Sequence, residues 1–172
     1  MRYSSNLCKS NYGSAVSSGS LSSAYNPKYA FDDKHDTCWA SSQRHGDRRR
    51  KAWLGYCFDS PRCISKVVLY QHRLDTAGGE KVAPSAKTLD IDCSDDGSTW
   101  HFVQQHTNVP FSGRVEFSLA RSIGKYRYWR LMFVEEWMNY QNPTYGAIAY
   151  CWAINELQMF ESMSNCTMIV CD

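Results

Sequence analysis

One carboxylate, that of Glu156, lies in an otherwise apolar segment and requires a partner for its charge. Glu156 follows Trp152 and Ile154 at alternate positions, and a strand would place all three on the face that also carries Phe160. An ionised carboxylate without a partner in such surroundings costs several kcal/mol, or becomes neutral through a raised pKa. We therefore expect Glu156 to face a cation or a strong hydrogen-bond donor.

A polar loop earlier in the chain offers ligands for such a cation. Residues 32–37 supply three side chains with hard oxygen atoms: Asp32, Asp36 and Thr37. Calcium binds carboxylate and carbonyl oxygens and accepts irregular loop geometry. The pattern predicts a calcium ion held by this loop together with Glu156. In the alternative interpretation the loop binds no metal, and Glu156 pairs with an arginine such as Arg127 or Arg130.

Motifs for catalysis are missing from the sequence. Cys57 and Cys63 are too far apart for a zinc-binding pair, and no second pair matches them. There is no nucleophile elbow, phosphate-binding glycine loop or zinc-protease helix, and no nucleophile lies at a recognisable spacing from a base. We therefore predict a binding protein and not an enzyme.

Short alternating segments separated by polar turns must position these residues. Leu89, Ile91 and Cys93 alternate with the polar Thr88, Asp90 and Asp92, and residues 115–119 and 129–133 show the same period of two. The last such segment runs from 152 to about 160. About seven or eight such strands, with no internal repeat and no sustained helical period, favour an all-β sandwich.

Length and charge add little about the function. The 172 residues fit a single domain over 1–172, with a core at about 8–160 and a C-terminal tail at 161–172. A formal net charge of +2 at pH 7 identifies no partner. No apolar run reaches the roughly 20 residues that span a bilayer.

The cysteine content bears on the cellular compartment. An even count of eight cysteines in a chain of strands and loops suggests disulfides and an oxidising environment, although the connectivity is not fixed by sequence. The first residues, 1–6, lack the apolar core of a signal peptide. We predict a secreted or extracellular protein, with a cytoplasmic protein that keeps free thiols as the alternative.

Six motifs in order resemble the discoidin family, also called the coagulation factor 5/8 C-terminal domain. They are the loop and strand at 30–41, Trp53-Leu54, the strand at 64–69, the turn at 94–100, residues 126–131, and the closing 154–157. The chain is also similar to the galactose-binding-like carbohydrate-binding modules of family 32. The resemblance implies a discoidin-like jelly-roll β-sandwich with a structural calcium ion at three of the residues above: Asp32, Thr37 and Glu156.

Two features concern the resemblance itself. Asp33 stands where the family has a glycine after the loop aspartate, and aspartate tolerates a left-handed conformation better than most residues. The family often ties its two ends with a disulfide. Cys8 is then the candidate at the N-terminal end, with three competing partners: Cys151, Cys166 and Cys171.

The resemblance also implies a ligand site on loops at one end of the sandwich. The matching segments are 17–28, 42–51, the region after Tyr70, and 134–149. They contain side chains suited to a sugar: Arg44, His45, His72, Arg73, Trp137, Tyr140 and Tyr145. Aromatic rings pack against the C–H face of a sugar, while arginine and histidine bond its hydroxyl groups. We predict a lectin-like module for galactose-type or acidic glycans.

Two other ligand classes remain open. The basic run at 48–51 could attract anionic phospholipid headgroups, sulfated or sialylated glycans, or nucleic acid. The first loop offers only Leu21 and Tyr25 for insertion into a membrane. A protein–protein adaptor is the other alternative, since intracellular relatives serve in that way. Nucleic acid is not an expected partner.

Overall fold

The structure, a computed structural model, describes residues 2–9, 11–44, 47–72, 74–75, 81–82, 85–120, 123–137 and 151–163. Its regular elements are almost all strands. The first six are β1 (Gly13–Ser17), β2 (Trp39–Arg44), β3 (Trp53–Arg62), β4 (Ile64–Gln71), β5 (Leu74–Asp75) and β6 (Lys81–Val82). The remaining five are β7 (Ala86–Ser94), β8 (His101–His106), β9 (Gly113–Ser118), β10 (Tyr126–Glu136) and β11 (Cys151–Glu161). Two short 3-10 helices, Ser23–Tyr25 and Pro27–Ala30, lie between β1 and β2.

Two antiparallel sheets form the sandwich. One has five strands in the order β1-β3-β10-β7-β8, and the other has four in the order β2-β11-β4-β9. A separate ribbon of β5 and β6 lies in the connection from β4 to β7. The predicted all-β sandwich is confirmed. Within the described residues no helix is long and apolar enough to cross a membrane.

The core lies between the two sheets and is rich in tryptophan. Trp39, Trp129 and Trp152 are fully buried. The Trp152 ring makes edge contacts with Trp39 and Phe133, with centroid distances of 5.8 and 5.5 Å. Leu54 and other aliphatic side chains from both sheets fill the space around these rings. Such large aromatic side chains contribute much of the apolar area that a domain of this size can bury.

The outer face of the five-stranded sheet differs from the simple alternation. Leu89, Ile91 and Cys93 face the core as predicted, but the intervening Asp90 and Asp92 are also buried, at 2% and 7% exposure. Each carboxylate has a cationic partner, because Arg50 Nη1 lies 2.8 Å from Asp90 and Arg130 Nε lies 2.9 Å from Asp92. These ion pairs offset part of the cost of burying the two carboxylates.

The cysteines do not support the predicted disulfide at the N-terminal end. Cys8, Cys38, Cys57 and Cys93 are free thiols, and Cys8 is completely buried. Burial raises the pKa of the Cys8 thiol well above its usual value, so it is protonated and unreactive. The tie from Cys8 is therefore not formed in the structure. The candidate partners at 166 and 171 lie outside the described residues.

Candidate functional site

Four strand connections begin at one end of the sandwich, which we call the loop end. They are the segments 45–52, 72–85, 107–112 and 137–150, which follow β2, β4, β8 and β10. The antiparallel registers place the ends of these four strands at the same edge of the sandwich. Three of the four segments predicted to bind a ligand, 42–51, the region after Tyr70 and 134–149, therefore adjoin strand ends at the loop end.

Gln71 joins three of the chain segments at the loop end. Its side-chain amide donates to the carbonyl oxygens of Ala86 and Pro110 at 2.9 and 2.8 Å. Its side-chain oxygen accepts from the Ala86 N–H at 2.7 Å and from the Trp152 indole N–H at 3.1 Å. Because Gln71 is buried, these bonds fix the end of β4 against the start of β7 and the connection before β9.

Arg48 joins the two strands that flank the connection at 137–150. Its side chain is only 5% exposed, and it lies over the Phe133 ring with the guanidinium carbon 5.0 Å from the ring centroid. It donates to the Cys151 carbonyl oxygen at 3.0 Å and forms an ion pair with Glu136. The end of β10 and the start of β11 are therefore held by one buried guanidinium.

In the basic run at 48–51, Arg48 is buried, whereas Arg49, Arg50 and Lys51 are exposed. Most of these cations are nevertheless paired with acidic side chains, which weakens the lipid alternative. Arg48 is buried and paired, Arg50 pairs with Asp90, and Lys51 pairs with Asp47. Three of its four cations thus have acidic partners inside the domain. A charge that is already compensated adds little attraction to an anionic surface.

A β-bulge in β11 corrects the predicted orientation of Glu156. The register shifts between Ile154, which pairs with Gln71, and Glu156, which pairs with Tyr70. Asn155 is thus an extra residue opposite Tyr70. Because of this extra residue, Trp152 and Ile154 face the core, whereas Glu156 lies on the outer face of the four-stranded sheet. Phe160 shares that outer face, and the core positions continue at two later residues, Leu157 and Met159.

The loop at 32–37 covers the outward-facing Glu156. The Asp33 N–H donates to Glu156 Oε2 at 3.2 Å, and Asp33 adopts a left-handed conformation with φ of 59°. Asp33 thus adopts, in place of the family's glycine, the left-handed conformation that aspartate tolerates. The Thr37 hydroxyl donates to the Asp32 carboxylate at 2.9 Å. The exposed carboxylate of Asp33 pairs with Lys9, which fixes the turn from outside.

Glu156 is fully buried and only partly bonded. Its Oε1 atom has no hydrogen-bond partner among the described residues. Burial raises the pKa of Glu156 to about 8, and the nearby Asp32 carboxylate contributes to the rise. Of the two arginines considered as partners, Arg130 pairs with Asp92 and Arg127 donates to the Phe58 carbonyl oxygen. The arginine alternative for Glu156 is therefore wrong.

The predicted calcium ligands are only partly brought together. Asp32, Thr37 and Glu156 belong to one connected group, whereas Asp36 is exposed on the same loop. The described parts of the chain contain no group of three or more His, Cys, Asp or Glu side chains arranged so that it could hold a metal ion. An unbonded buried oxygen on Glu156, next to a second carboxylate, nevertheless has the donor chemistry that a hard cation requires.

A cavity lies beside this loop on the outer face of the four-stranded sheet, and we call it the His72 cavity. Its volume is about 380 Å³, and its lining comes from three strands and three loops: His35, Tyr70, Gln71, His72, Ser112, Gly113 and Asn155. The rings of His35 and Tyr70 lie 4.5 Å apart, inclined at 48°. Aromatic surface and short polar groups thus face one shared space.

Asn155 connects the His72 cavity with the loop at 32–37. Its Nδ2 donates to the carbonyl oxygens of His35 and Thr37, both at 2.9 Å. Its Oδ1 lies 3.1 Å from His72 Nδ1. Burial lowers the pKa of His72, while the contact with Asn155 opposes that shift. The imidazole is therefore neutral at neutral pH.

The predicted ligand residues occupy different places. His72 lines the cavity, Arg44 ends β2 at the loop end, and Trp137 follows β10 with 38% of its surface exposed. The Trp137 indole N–H donates to the Val109 carbonyl oxygen, which fixes its ring near the connection before β9. The other four predicted residues lie outside the described residues: His45, Arg73, Tyr140 and Tyr145.

Sequence reasoning predicted only His72 among the seven residues that line the His72 cavity, and three of the missed residues are instructive. Tyr70 stands in a strand with apolar residues on both faces, so its outward direction was not evident. His35 belongs to the loop that we assigned to metal binding. Asn155 precedes the closing glutamate, and its polar character inside an apolar strand was the one available signal, since a buried amide requires partners.

Comparison with known proteins adds a family and a fold. The family model described as F5/8 type C domain matches residues 14–149. Chitosan-binding module 1 of a chitosanase/glucanase from Paenibacillus sp. IK-5 is similar in structure, with a TM-score of 0.67 and 18% identity over 92% of this chain and 100% of that one. No curated protein matches the chain in sequence.

Two similar structures contain bound sugars. CpGH89CBM32-5 from Clostridium perfringens, in complex with GalNAc-β-1,3-galactose, has a TM-score of 0.66 and 14% identity, covering 91% of this chain and 100% of that chain. The family 32 module from C. perfringens NanJ, in complex with galactose, has a TM-score of 0.62 and 11% identity, covering 86% and 93%. At such identities these similarities establish the jelly-roll fold.

Proposed function

Because the chain belongs to the F5/8 type C domain family, we propose that it is a non-catalytic module that binds carbohydrate at its loop end. The observation that carries the proposal is the His72 cavity, where an aromatic pair and several small polar groups line one concave surface. The proposal is supported by similar structures that are themselves described as carbohydrate-binding modules.

The chemistry of the cavity matches that of a sugar ring. A pyranose has an apolar C–H face and a rim of hydroxyl groups, each of which donates and accepts hydrogen bonds. Tyr70 and His35 provide ring surface for the C–H face. Ser112 and His72 provide short polar groups for the rim. Small-molecule sites commonly combine apolar walls with a few placed polar groups in this way.

The ligand proposed from the sequence is a galactose-type or an acidic glycan. The sugars named for similar structures include chitotriose, galactose and an unsaturated mannuronic acid, so neutral and acidic ligands both occur on this fold. They belong to those proteins and support carbohydrate as the class. The exposed Trp137 adds a second aromatic surface at the same end, which suits a ligand longer than one sugar.

We also propose that a calcium ion binds at Asp32 and Glu156 and stabilises the loop at 32–37. The support is the unbonded Oε1 of Glu156, whose burial favours either a proton or a cation at this position. A bound calcium ion would neutralise both carboxylates and bring backbone carbonyl oxygens of the loop towards one centre. Because Asn155 holds two of those carbonyls, the loop's position also affects the cavity wall.

A glycan array on the purified domain tests the proposed function. The array is probed once with calcium and once with chelator, using wild type, Tyr70→Ala and a control variant, Phe102→Ala. Phe102 is 64% exposed on β8 in the other sheet, so its loss removes an aromatic ring of similar size away from the cavity. We expect sugar binding by wild type and Phe102→Ala and loss of binding by Tyr70→Ala.

A blank array with folded wild-type protein would contradict the carbohydrate proposal. Folding is checked independently by tryptophan fluorescence, because three of the six tryptophans are fully buried. Binding that survives Tyr70→Ala but disappears with Trp137→Ala would place the sugar at the loop end outside the His72 cavity.

A further inference from the structure

The orientation of the Asn155 side chain is fixed by its neighbours. Two backbone carbonyl oxygens, those of His35 and Thr37, lie 2.9 Å from one end of the amide. A carbonyl oxygen can only accept a hydrogen bond, so the end that faces them must be the NH2 group. The amide oxygen of Asn155 must then be the end that faces His72.

The orientation of Asn155 determines which nitrogen of His72 carries the proton. The amide oxygen cannot donate, and it lies 3.1 Å from His72 Nδ1. Nδ1 must therefore carry the hydrogen and donate it to Asn155. In a neutral imidazole the other nitrogen, Nε2, then has a free lone pair and acts as an acceptor only.

The Nε2 atom of His72 is available to a ligand. His72 lines the cavity, and its only side-chain hydrogen bond within the described residues is the one to Asn155. Its backbone N–H donates to the Ala153 carbonyl oxygen at 3.1 Å, which holds the residue against β11. Both the ring's position and its tautomer are thus set by bonds to residues of β11.

The remaining lining of the cavity carries no fixed charge in the described part of the chain. No Lys, Arg, Asp or Glu is among its lining residues. A deprotonated carboxylate or sulfate placed against Nε2 would meet a lone pair with no proton between the two atoms. A hydroxyl group, in contrast, can donate to Nε2 and accept from a neighbouring group at the same time.

We propose that His72 determines the ligand class: Nε2 accepts a hydrogen bond from a hydroxyl group of a neutral sugar, and acidic sugars are disfavoured at this position. The inference rests on the proposed function. Of the two ligand classes proposed there, galactose-type and acidic glycans, it selects the neutral galactose-type glycans. In it Asn155 is a positioning residue, since it acts on the ligand only through His72.

The tautomer is measured on the free domain, without any sugar. Two-bond and three-bond correlations between the ring protons and ring nitrogens of ¹⁵N-labelled protein distinguish a protonated nitrogen from a bare one. The His72 signals are assigned by their loss in His72→Phe, with His101→Phe as the control for an exposed histidine on β8. We expect a protonated Nδ1 and a bare Nε2 in wild type, and loss of this pattern in Asn155→Leu.

The ligand preference is measured with galactose and galacturonic acid, which differ only in the oxidation of C6. Chemical-shift titrations of wild type are expected to give a galactose affinity about tenfold higher than that for the acid, from one hydrogen bond made or lost. His72→Phe is expected to lose most of this preference by weakening galactose binding. His101→Phe should retain the wild-type values.

The outcomes distinguish a failure of the proposed role of His72 from a failure of the proposed carbohydrate binding. A protonated Nε2 in wild type, or tighter binding of galacturonic acid, would overturn the role of His72 while leaving a carbohydrate-binding domain. Binding of neither sugar, in a domain that shows the expected tautomer and gives a blank glycan array, would overturn the proposed function and with it the ligand preference. The expected tautomer together with a galactose preference that depends on His72 supports both.

Discussion

The buried carboxylate of Glu156 makes the stability of the calcium-free domain depend on pH. Its pKa is about 8 in the folded state, mainly because of burial, against an ordinary value of 4.5. A group whose pKa is raised on folding stabilises the fold while it is protonated in the folded state. That contribution is complete below about pH 4.5 and is lost as the pH rises through about 8.

The size of the effect follows from the shift. The full difference between the two pKa values corresponds to at most about 5 kcal/mol, and relaxation of the loop at 32–37 reduces this to about 2–4 kcal/mol. Glu156→Gln keeps the shape of the side chain and removes its charge. We therefore expect Glu156→Gln and wild type to have similar stability near pH 5, and the variant to be more stable by about 2–4 kcal/mol at pH 9.

The assay is urea unfolding in the presence of chelator, followed by tryptophan fluorescence at several pH values between 5 and 9. Comparing the two proteins at each pH cancels the titration of every other group. Calcium should raise the melting temperature of wild type and not that of Glu156→Gln. At a concentration one hundred times the dissociation constant, it should add about 2.7 kcal/mol to the free energy of unfolding of wild type. If the free energies of unfolding of wild type and Glu156→Gln changed with pH in the same way, the role of Glu156 would be refuted. If chelator left the wild-type melting curve unchanged, calcium binding would be refuted.

Three further substitutions test other parts of the structure. Arg130→Met leaves the buried Asp92 carboxylate without its partner and should lower the free energy of unfolding in urea by about 3–4 kcal/mol. Adding Asp92→Leu should recover most of this loss, and equal losses in the single and double variants would contradict the prediction. Gln71→Leu removes four hydrogen bonds at the loop end and should cost about 3 kcal/mol by the same assay, with a loss below about 1 kcal/mol counting against it. Trp137→Ala should weaken glycan binding about tenfold in a titration without lowering the melting temperature, and wild-type affinity would remove Trp137 from the site.

The architecture was predictable because the period of two and the turn residues are local features. The turn at 94–100 is an example: Asp96 accepts hydrogen bonds from the Ser98 and Thr99 backbone at 2.7 Å each, and Gly97 has a φ of 74°. Residues of these types favour such turns in any surroundings. The order of the motifs then led to the jelly roll.

Other features depend on partners that the local pattern does not contain. A bulge adds one residue to a strand, so the face assigned to Glu156 from Trp152 and Ile154 was wrong by one position. The cations at 48–51 were visible, but their partners Glu136 and Asp90 lie far along the chain. The His72 cavity is likewise assembled from distant segments, and only one of its seven lining residues had been predicted as a ligand contact.

The position of Arg48 has a consequence for how this domain could acquire new ligands. One buried side chain holds the last residue of β10 and the first of β11, so the 14-residue connection at 137–150 starts and ends on anchored strands whatever its own sequence. The entropy needed to close such a connection changes only slowly with its length. The connection is therefore a segment in which selection, or a designed library, can vary length and composition while the sandwich beneath it keeps its shape.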